Sequence, residues 1–259
     1  DLPANAGVMR PIDVRVPDGS LLSAEFPAPV GGYTETILRM IDVIFSAASQ
    51  AAPDRVVANA YGTINALSIA GKRANGQRWV MFSFYGGGHG GSSESDGLNH
   101  GNAPISTATI PPMEILEAAY PVMFRQWALR PDSAGAGQHR GGLGATYEIE
   151  VLEENAEAFL FGERGRFAPQ GVQGGGDGAM NVFHYEQADG WKTPPLASKM
   201  LGIKLTKGQA VRLETPGGGG YGPATSRDAH EVAQDVALGY LTPDAATDLY
   251  GPAWKEAST

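Results

Sequence analysis

The chain has 259 residues, 42% of them hydrophobic, enough to enclose a core in one large domain or two smaller ones. A formal charge of -9 and a pI near 5.0 oppose attraction to nucleic acid or to an anionic membrane surface, which leaves small molecules and proteins as partners. Without cysteine there are no disulfides, thiol nucleophiles or cysteine-held zinc; without a basic-then-apolar leader or a bilayer-length apolar run, the chain is expected to be cytoplasmic.

Glycine (36 residues) and proline (18 residues) interrupt apolar runs that keep recurring, a pattern that predicts many short strands joined by turns. The opening RPIDVRVPDG alternates Ile12, Val14 and Val16 with Asp13 and Arg15 and is expected to be a strand ending at a proline-set turn. From Thr34 the period changes: Ile37, Ile41, Ile44 and Ala48, with Leu38 and Phe45 beside them, predict one long helix near residues 34–51. RWVMFSFY (78–85) is expected to be a buried strand. PPMEILEAAYP reads as a short helix with Pro112 near its first position.

PVMFRQWALRPDSAGAGQHRGGLGATYEIEVL reads as strand, glycine-rich turn and strand. AEAFLFGERGRF, AMNVFHYE and QAVRLETP add strands, with turns at Ala188-Asp189-Gly190 and Lys207-Gly208. The end is helical: Ser226 is the expected N-cap of a stripe through Ala229, Val232, Val236 and Tyr240, and Thr242-Pro243 opens a second helix that Gly251 ends. The expected fold is therefore α+β, sheet-rich and largely antiparallel, with a sheet region at 1–225 and closing helices at 226–259.

The chemistry-bearing stretch is FYGGGHGGSSESDGLNHGN, where a strand runs into nearly bare backbone. GGGHGG and the later GGGGYG both satisfy G-x-G-x-x-G, but neither opens directly into a helix, so a dinucleotide fingerprint is not supported, and no phosphate loop of the GxxxxGK[ST] kind occurs. Bare glycines at Gly87, Gly88, Gly218 and Gly219 leave two readings open: amide donors aimed at a developing negative charge, or backbone packed for space. His89, Asp96 and His100, with Glu114, are candidate acid–base or metal-ligating groups, against the alternative of ordinary polar-loop residues. Arg130, Asp132, His139 and Arg140 surround one turn and Glu163, Arg164 and Arg166 follow a strand; either set offers a guanidinium clamp for carboxylate or phosphate, or an internal ion pair such as Arg130 with Asp132. Ser92, Ser93 and Ser95 lack the G-x-S-x-G elbow of a serine nucleophile.

In chain order, DLPANAGVMRPIDVRVPDGSLL, PAPVGG, FYGGGHGGSSESDG, PPMEILEAAYP, ALRPDSAGAGQHRGGLG and TPGGGGYGP together resemble the hydantoinase B/oxoprolinase family. Its members include subunits of N-methylhydantoinase, 5-oxoprolinase, caprolactamase and acetone or acetophenone carboxylase. The resemblance is to the carboxyl-terminal half of such subunits, so Asp1 is expected to fall within a longer subunit. It implies an ATP-dependent complex that hydrolyses a cyclic amide, or alternatively carboxylates a ketone, or a non-catalytic assembly module of such a complex. The implied partners are a hydantoinase A-like chain that binds ATP with magnesium and the amino-terminal half of the subunit. That half, and not this chain, is expected to hold zinc or manganese. On this picture His89, Asp96 and His100 are the candidate catalytic residues. Arg130, Arg140 and Arg164, with the four glycines, are the candidate substrate or phosphate contacts.

Overall fold

In the computed structural model, which describes Gly7, residues 10–106 and residues 109–257, the apolar runs between the glycines pair as antiparallel strands. In chain order the elements are α1 (Tyr33–Ala48), β1 (Ala66–Lys72), β2 (Arg78–Ser83), α2 (Met113–Ala119), β3 (Val122–Leu129), β4 (Ala145–Val151), β5 (Ala156–Phe161), β6 (Val182–Gln187), β7 (Gly190–Lys192), β8 (Lys199–Leu205), β9 (Ala210–Glu214), α3 (Ala229–Ala237), α4 (Pro243–Tyr250) and α5 (Trp254–Ala257). They build a four-stranded sheet, β2-β1-β5-β8, and a five-stranded sheet, β3-β4-β9-β6-β7. The expected α+β class is the one observed.

Leu67, Ile69, Met81, Leu160 and Ile203 of the first sheet share one apolar cluster with Tyr147, Ile149, Phe183, Val211 and Leu213 of the second. Each such side chain contributes roughly 1.5–3 kcal/mol when fully buried, so this shared cluster is the main force joining the sheets. The closing helices bury a cluster of their own, built on Val232, Leu241, Ala246 and Trp254.

Several elements differ from their sequence signals. Residues 12–16 form no ladder among the described residues, and Ile12 and Val14 are exposed, because alternation makes a strand only where a neighbour accepts its hydrogen bonds. Strand β2 is not buried on both faces: it is an edge, with Trp79 and Met81 inward and Val80 and Phe82 outward. Strands β1, β7 and β8 carried no clear signal. In β1, a Cβ on Gly71 would lie 3.1 Å from the Trp79 ring, a tight contact that the bare glycine avoids. In β8, Gly202 takes a φ of 72°, and the register against β5 shifts between Ala158 and Leu160.

At the carboxyl end Ser226 lies in a short 3-10 turn, and the cap of α3 is Asp228, whose carboxylate accepts the His230 N–H at 2.7 Å. Thr242 and Pro243 open α4, and Gly251 ends it with a φ of 82°, as the sequence indicates. Residues 1–6, 8 and 9 of the opening motif, and 258–259 at the end, lie outside the described residues.

Linking the sheets to the closing helices is a glycine-rich layer in which backbone packs directly against backbone. Stretches around 58–62, 86–91, 97–101, 134–144, 169–178 and 216–222 carry no regular strand, yet they exchange hydrogen bonds sideways. Tyr61 N–H donates to Gly88 O (2.8 Å), Gly142 N–H to His89 O (2.7 Å) and Gly91 N–H to Gly219 O (2.9 Å). A Cβ on Gly88 would stand 1.9 Å from Gly142 O, and one on Gly218 would stand 1.9 Å from His89 O. The same crowding admits only glycine at the axis of the collagen triple helix.

Candidate functional site

The glycine amides singled out as possible anion donors are already committed. Gly87 N–H donates to Gly101 O (3.0 Å), Gly88 to Pro216 O (3.0 Å), Gly218 to Gly142 O (2.9 Å) and Gly219 to Asn59 O (2.8 Å). All four residues are buried. A ligand would have to break a backbone hydrogen bond to reach any of these donors, and leaving its buried carbonyl unpaired costs about 1–3 kcal/mol. Of the two readings open in the sequence, the geometry matches packing for space.

His89, Asp96 and His100 point into three different surroundings. The His89 ring packs near Tyr61, with ring centroids 6.4 Å apart, and its Nε2 lies 2.6 Å from Asn102 O. It borders a cavity of about 180 Å³ beneath α1, lined also by Leu38, Asp42, Phe45, Ala58 and Pro104. His100, at a φ of 49°, turns its ring inward instead: Nε2 meets the Tyr147 hydroxyl and accepts from Trp127 Nε1 at 3.1 Å. Burial pushes its pKa down, so the ring is neutral in this aromatic pocket.

Asp96 belongs to an ion-pair network. Both of its oxygens accept from Arg227 (2.7 and 2.8 Å), Oδ1 also accepts the Arg140 N–H at 2.9 Å, and His139 Nδ1 lies 3.9 Å away. Burial opposes its charge, but Arg227 and Arg140 outweigh burial and hold its carboxyl below the usual range. The Arg140 guanidinium in turn grips Asp235 of α3 (3.0 and 3.1 Å) and Asn99 Oδ1 (3.1 Å). This network fastens the polar loop and the closing helices to the glycine layer.

The other two arginines are also engaged with the protein. Arg130 donates to Met180 O (2.8 Å) and Thr215 O (3.2 Å) and lies 3.4 Å from Glu214, whereas Asp132 accepts the Thr242 N–H at 2.8 Å; the Arg130–Asp132 pair is not the one formed. Arg164, at a φ of 62°, donates to Tyr61 O (3.3 Å), Ala60 O and Ala168 O (both 3.2 Å), and pairs with Asp42 of α1. Burial, with Arg39 beside it, pulls its pKa down to about 10, so it stays charged at neutral pH. Glu114 is exposed in the first turn of α2.

Sequence reasoning passed over the charges of α1 itself. The helix does not bury the whole Ile37–Ala48 stripe: Glu35 and Leu38 are its buried residues, while Ile37, Val43 and Ile44 are exposed. Glu35 Oε1 accepts the Ile64 N–H at 2.8 Å, and Arg39 pairs with Asp42 (2.8 Å) and with Gly62 O. Burial raises the pKa of both Glu35 and Asp42. The spacings Glu35–Arg39 and Arg39–Asp42, one helical turn each, were a readable signal. Glu163, paired with Lys199, closes this charged seam from the strand side.

Among the described residues no three His, Asp or Glu side chains come together in a way that could hold a metal ion. The four glycine amides and the three arginines are engaged within the chain as well, so a phosphate or metal group would find no preformed set of free donors or ligands among the described residues. No helix among them is long and apolar enough to cross a membrane.

Comparison with known proteins places this architecture. The family model for hydantoinase B/oxoprolinase matches residues 1–224. The chain is 32% identical to caprolactamase subunit beta of Pseudomonas jessenii over 265 residues, covering 96% of this chain and 44% of that subunit. It is 30% identical to 5-oxoprolinase of Dictyostelium discoideum, covering 87% of this chain and 17% of that protein. Among solved structures, the ATP-dependent caprolactamase of Pseudomonas jessenii superimposes with a TM-score of 0.83 at 27% identity, over 92% of this chain and 42% of its own. The chain therefore spans less than half the length of these relatives.

Proposed function

Because the chain belongs to the hydantoinase B/oxoprolinase family, we propose that it forms the carboxyl-terminal part of a subunit in an ATP-dependent complex that opens a cyclic amide, such as a hydantoin, 5-oxoproline or a lactam. The observation that carries this reading is the likeness to ATP-dependent caprolactamase across 92% of the chain. An unstrained amide is a poor electrophile at neutral pH, and phosphorylation of its oxygen makes the carbon open to attack by water. In this proposal a hydantoinase A-like partner binds ATP and magnesium, and zinc or manganese belongs to the amino-terminal half of the subunit.

This chain's own residues set geometry. Arg164, Asp42 and Arg39 fix α1 on the glycine layer, and the Asp96–Arg227–Asp235–Arg140 network fixes the polar loop. Asp96 and His100 then act as positioning residues, and His89, which lines the cavity under α1, contacts whatever enters it.

The test uses the complete assembly, purified through this chain. ATP consumption coupled to ring opening of hydantoin, 5-oxoproline or caprolactam, without bicarbonate, is expected. Strict dependence on bicarbonate with a ketone substrate overturns the reading in favour of carboxylation. Full turnover by His89→Ala removes His89 from the site.

A further inference from the structure

The two sheets differ on the faces they turn away from their shared core. The outer face of the five-stranded sheet carries Arg125, Glu148, Glu150 and Arg212, joined in ion pairs, which is the polar surface that a half-buried antiparallel sheet shows to water. The outer face of the four-stranded sheet is apolar. Its middle strand β1 contributes Ser68 and Ala70, both small, and in register beside them stand Phe82 and Val80 of β2 on one side and Phe159 of β5 on the other. Phe84 extends the first wall, its ring centroid 5.0 Å from that of Phe82, and Phe161 extends the second.

These residues form a trough with a small-residue floor and aromatic walls. Helix α1 meets it at one end, where Ala66 packs against the Leu38 cluster and a Cβ on Gly32 would stand 2.8 Å from the Phe161 ring. Toward the β1–β2 turn the trough opens into a hollow of about 880 Å³ lined by Ala70, Val80 and Phe159. Val80, Phe82, Phe84 and Phe161 are 41–57% exposed, and a contiguous apolar patch of this kind marks an interaction surface. Ion pairs frame it, Glu157 with Lys204 at 2.7 Å and Glu163 with Lys199, which gives the apolar centre and polar rim of a protein interface.

We infer that an α-helix from the amino-terminal part of the same subunit lies along this trough, its apolar stripe over Ser68 and Ala70 and between Phe82 and Phe159. The walls stand two strand spacings apart, about 9–10 Å, and a helix with its side chains is about 10–12 Å across. Helices are a common cover for one face of a sheet. Length and charge argue for the origin of this one. The chain covers 44% of caprolactamase subunit beta, so more than half of that relative's polypeptide lies outside the matched region. A segment of the same polypeptide meets the trough without a separate association cost, and strongly apolar interfaces are of the permanent kind. A second copy fits worse, because two concave faces leave their floors apart and two bodies of charge -9 repel. This rests on the reading above of the chain as the carboxyl-terminal part of a larger subunit, and adds which surface receives the rest of it.

The experiment uses the complete assembly, purified through this chain. Hydroxyl-radical footprinting of the unaltered assembly compares oxidation of Phe82, Phe84 and Phe161 before and after unfolding in urea. At least tenfold protection is expected, whereas the exposure of these rings in this chain alone corresponds to only about twofold. p-Benzoylphenylalanine is then placed at Phe82 and, separately, at Phe159, and the photo-cross-linked peptides are identified by mass spectrometry. Both positions are expected to capture one segment of the amino-terminal part, at residues within about two helical turns of each other. Protection near twofold overturns the inference. So do cross-links that reach only a second copy of this chain or the ATP-binding chain, or that join the two walls to unrelated segments. If the assembly opens cyclic amides but the cross-links go elsewhere, the trough fails and the family reading stands. If both walls capture one amino-terminal segment in an assembly without ring-opening activity, the reading of the reaction fails and the trough stands.

Discussion

Arg140 and Asp235, 95 positions apart in the chain, form a buried ion pair, Nε to Oδ1 at 3.0 Å, with side chains 8% and 5% exposed. Arg227 completes the arrangement by donating to Asp235 at 2.9 Å and to both oxygens of Asp96. Two arginines and two aspartates thus alternate, so each buried charge faces its opposite. Beyond these bonds the closing helices rely mainly on their own small cluster.

Asp235→Ala is expected to destabilise the protein by about 3–5 kcal/mol, because it leaves Arg140 and Arg227 buried with half their compensation. The loss is expected first at the closing helices: limited proteolysis should cut near 224–240 at protease levels that leave the parent intact. Equal resistance of the two proteins would show that the helices are held by something else.

His100 gives a prediction in pH. Its folded pKa lies below the ordinary histidine value because the ring is buried against Tyr147 and Trp127. Below about pH 6.5 the unfolded chain takes up a proton that the folded chain resists, so this residue lowers stability as pH falls through that value and stops doing so once the folded ring also protonates. His100→Gln, which cannot titrate, should flatten that part of the profile of melting temperature against pH. Asp96 acts lower down: its depressed carboxyl contributes stability above its unfolded pKa near 3.8 and loses it as pH falls through the folded value. The two effects are separable by working between pH 4.5 and 7 for His100 and below pH 4 for Asp96.

The hairpin β3–β4, strand β6 and the helices α1 and α4 were legible because their signals are local: an alternating run beside a glycine turn, a helical stripe, Thr242-Pro243 at a helix start. Strands β1 and β8 were not, since Gly71 and Gly202 answer to a tryptophan on the next strand and to a register shift, neither of which a single strand displays. The glycine layer was visible as composition and opaque as structure: Gly88 meets Pro216 and Gly142, and only the fold brings those segments together. Within the candidate site, the His89, Asp96 and His100 cluster looked compact in sequence but separates in space, because His100 takes a left-handed backbone angle that turns its ring into the core. The α1 pairs were readable at one-turn spacing, whereas the partners of Arg140 on α3 were not.

The cap of α3 discriminates between two neighbouring side chains. Asp228 accepts the His230 N–H, and Ser226 lies before the helix in its own turn. Asp228→Ala should lower stability by about 1 kcal/mol, the usual loss for an N-cap, and Ser226→Ala by less than half of that. Denaturant titration of the two variants at matched slopes reads the difference. An equal loss in both would return the capping role to Ser226.

The backbone layer makes the sharpest demand. At Gly88 an added methyl would sit 1.9 Å from Gly142 O and 2.5 Å from Gly218 N, both backbone atoms that cannot rotate aside. At Gly31 nothing lies within 4 Å. Gly88→Ala should therefore push two segments of the layer apart, breaking hydrogen bonds such as Gly218 N–H to Gly142 O, and destabilise by more than about 4 kcal/mol, the range reserved for packing failures. Gly31→Ala should stay within about 0.5 kcal/mol of the parent. Soluble yield and thermal melting of the pair provide the comparison. A Gly88→Ala protein that melts with its parent would mean the layer yields to a methyl group, and then the glycine amides could also be freed for a ligand.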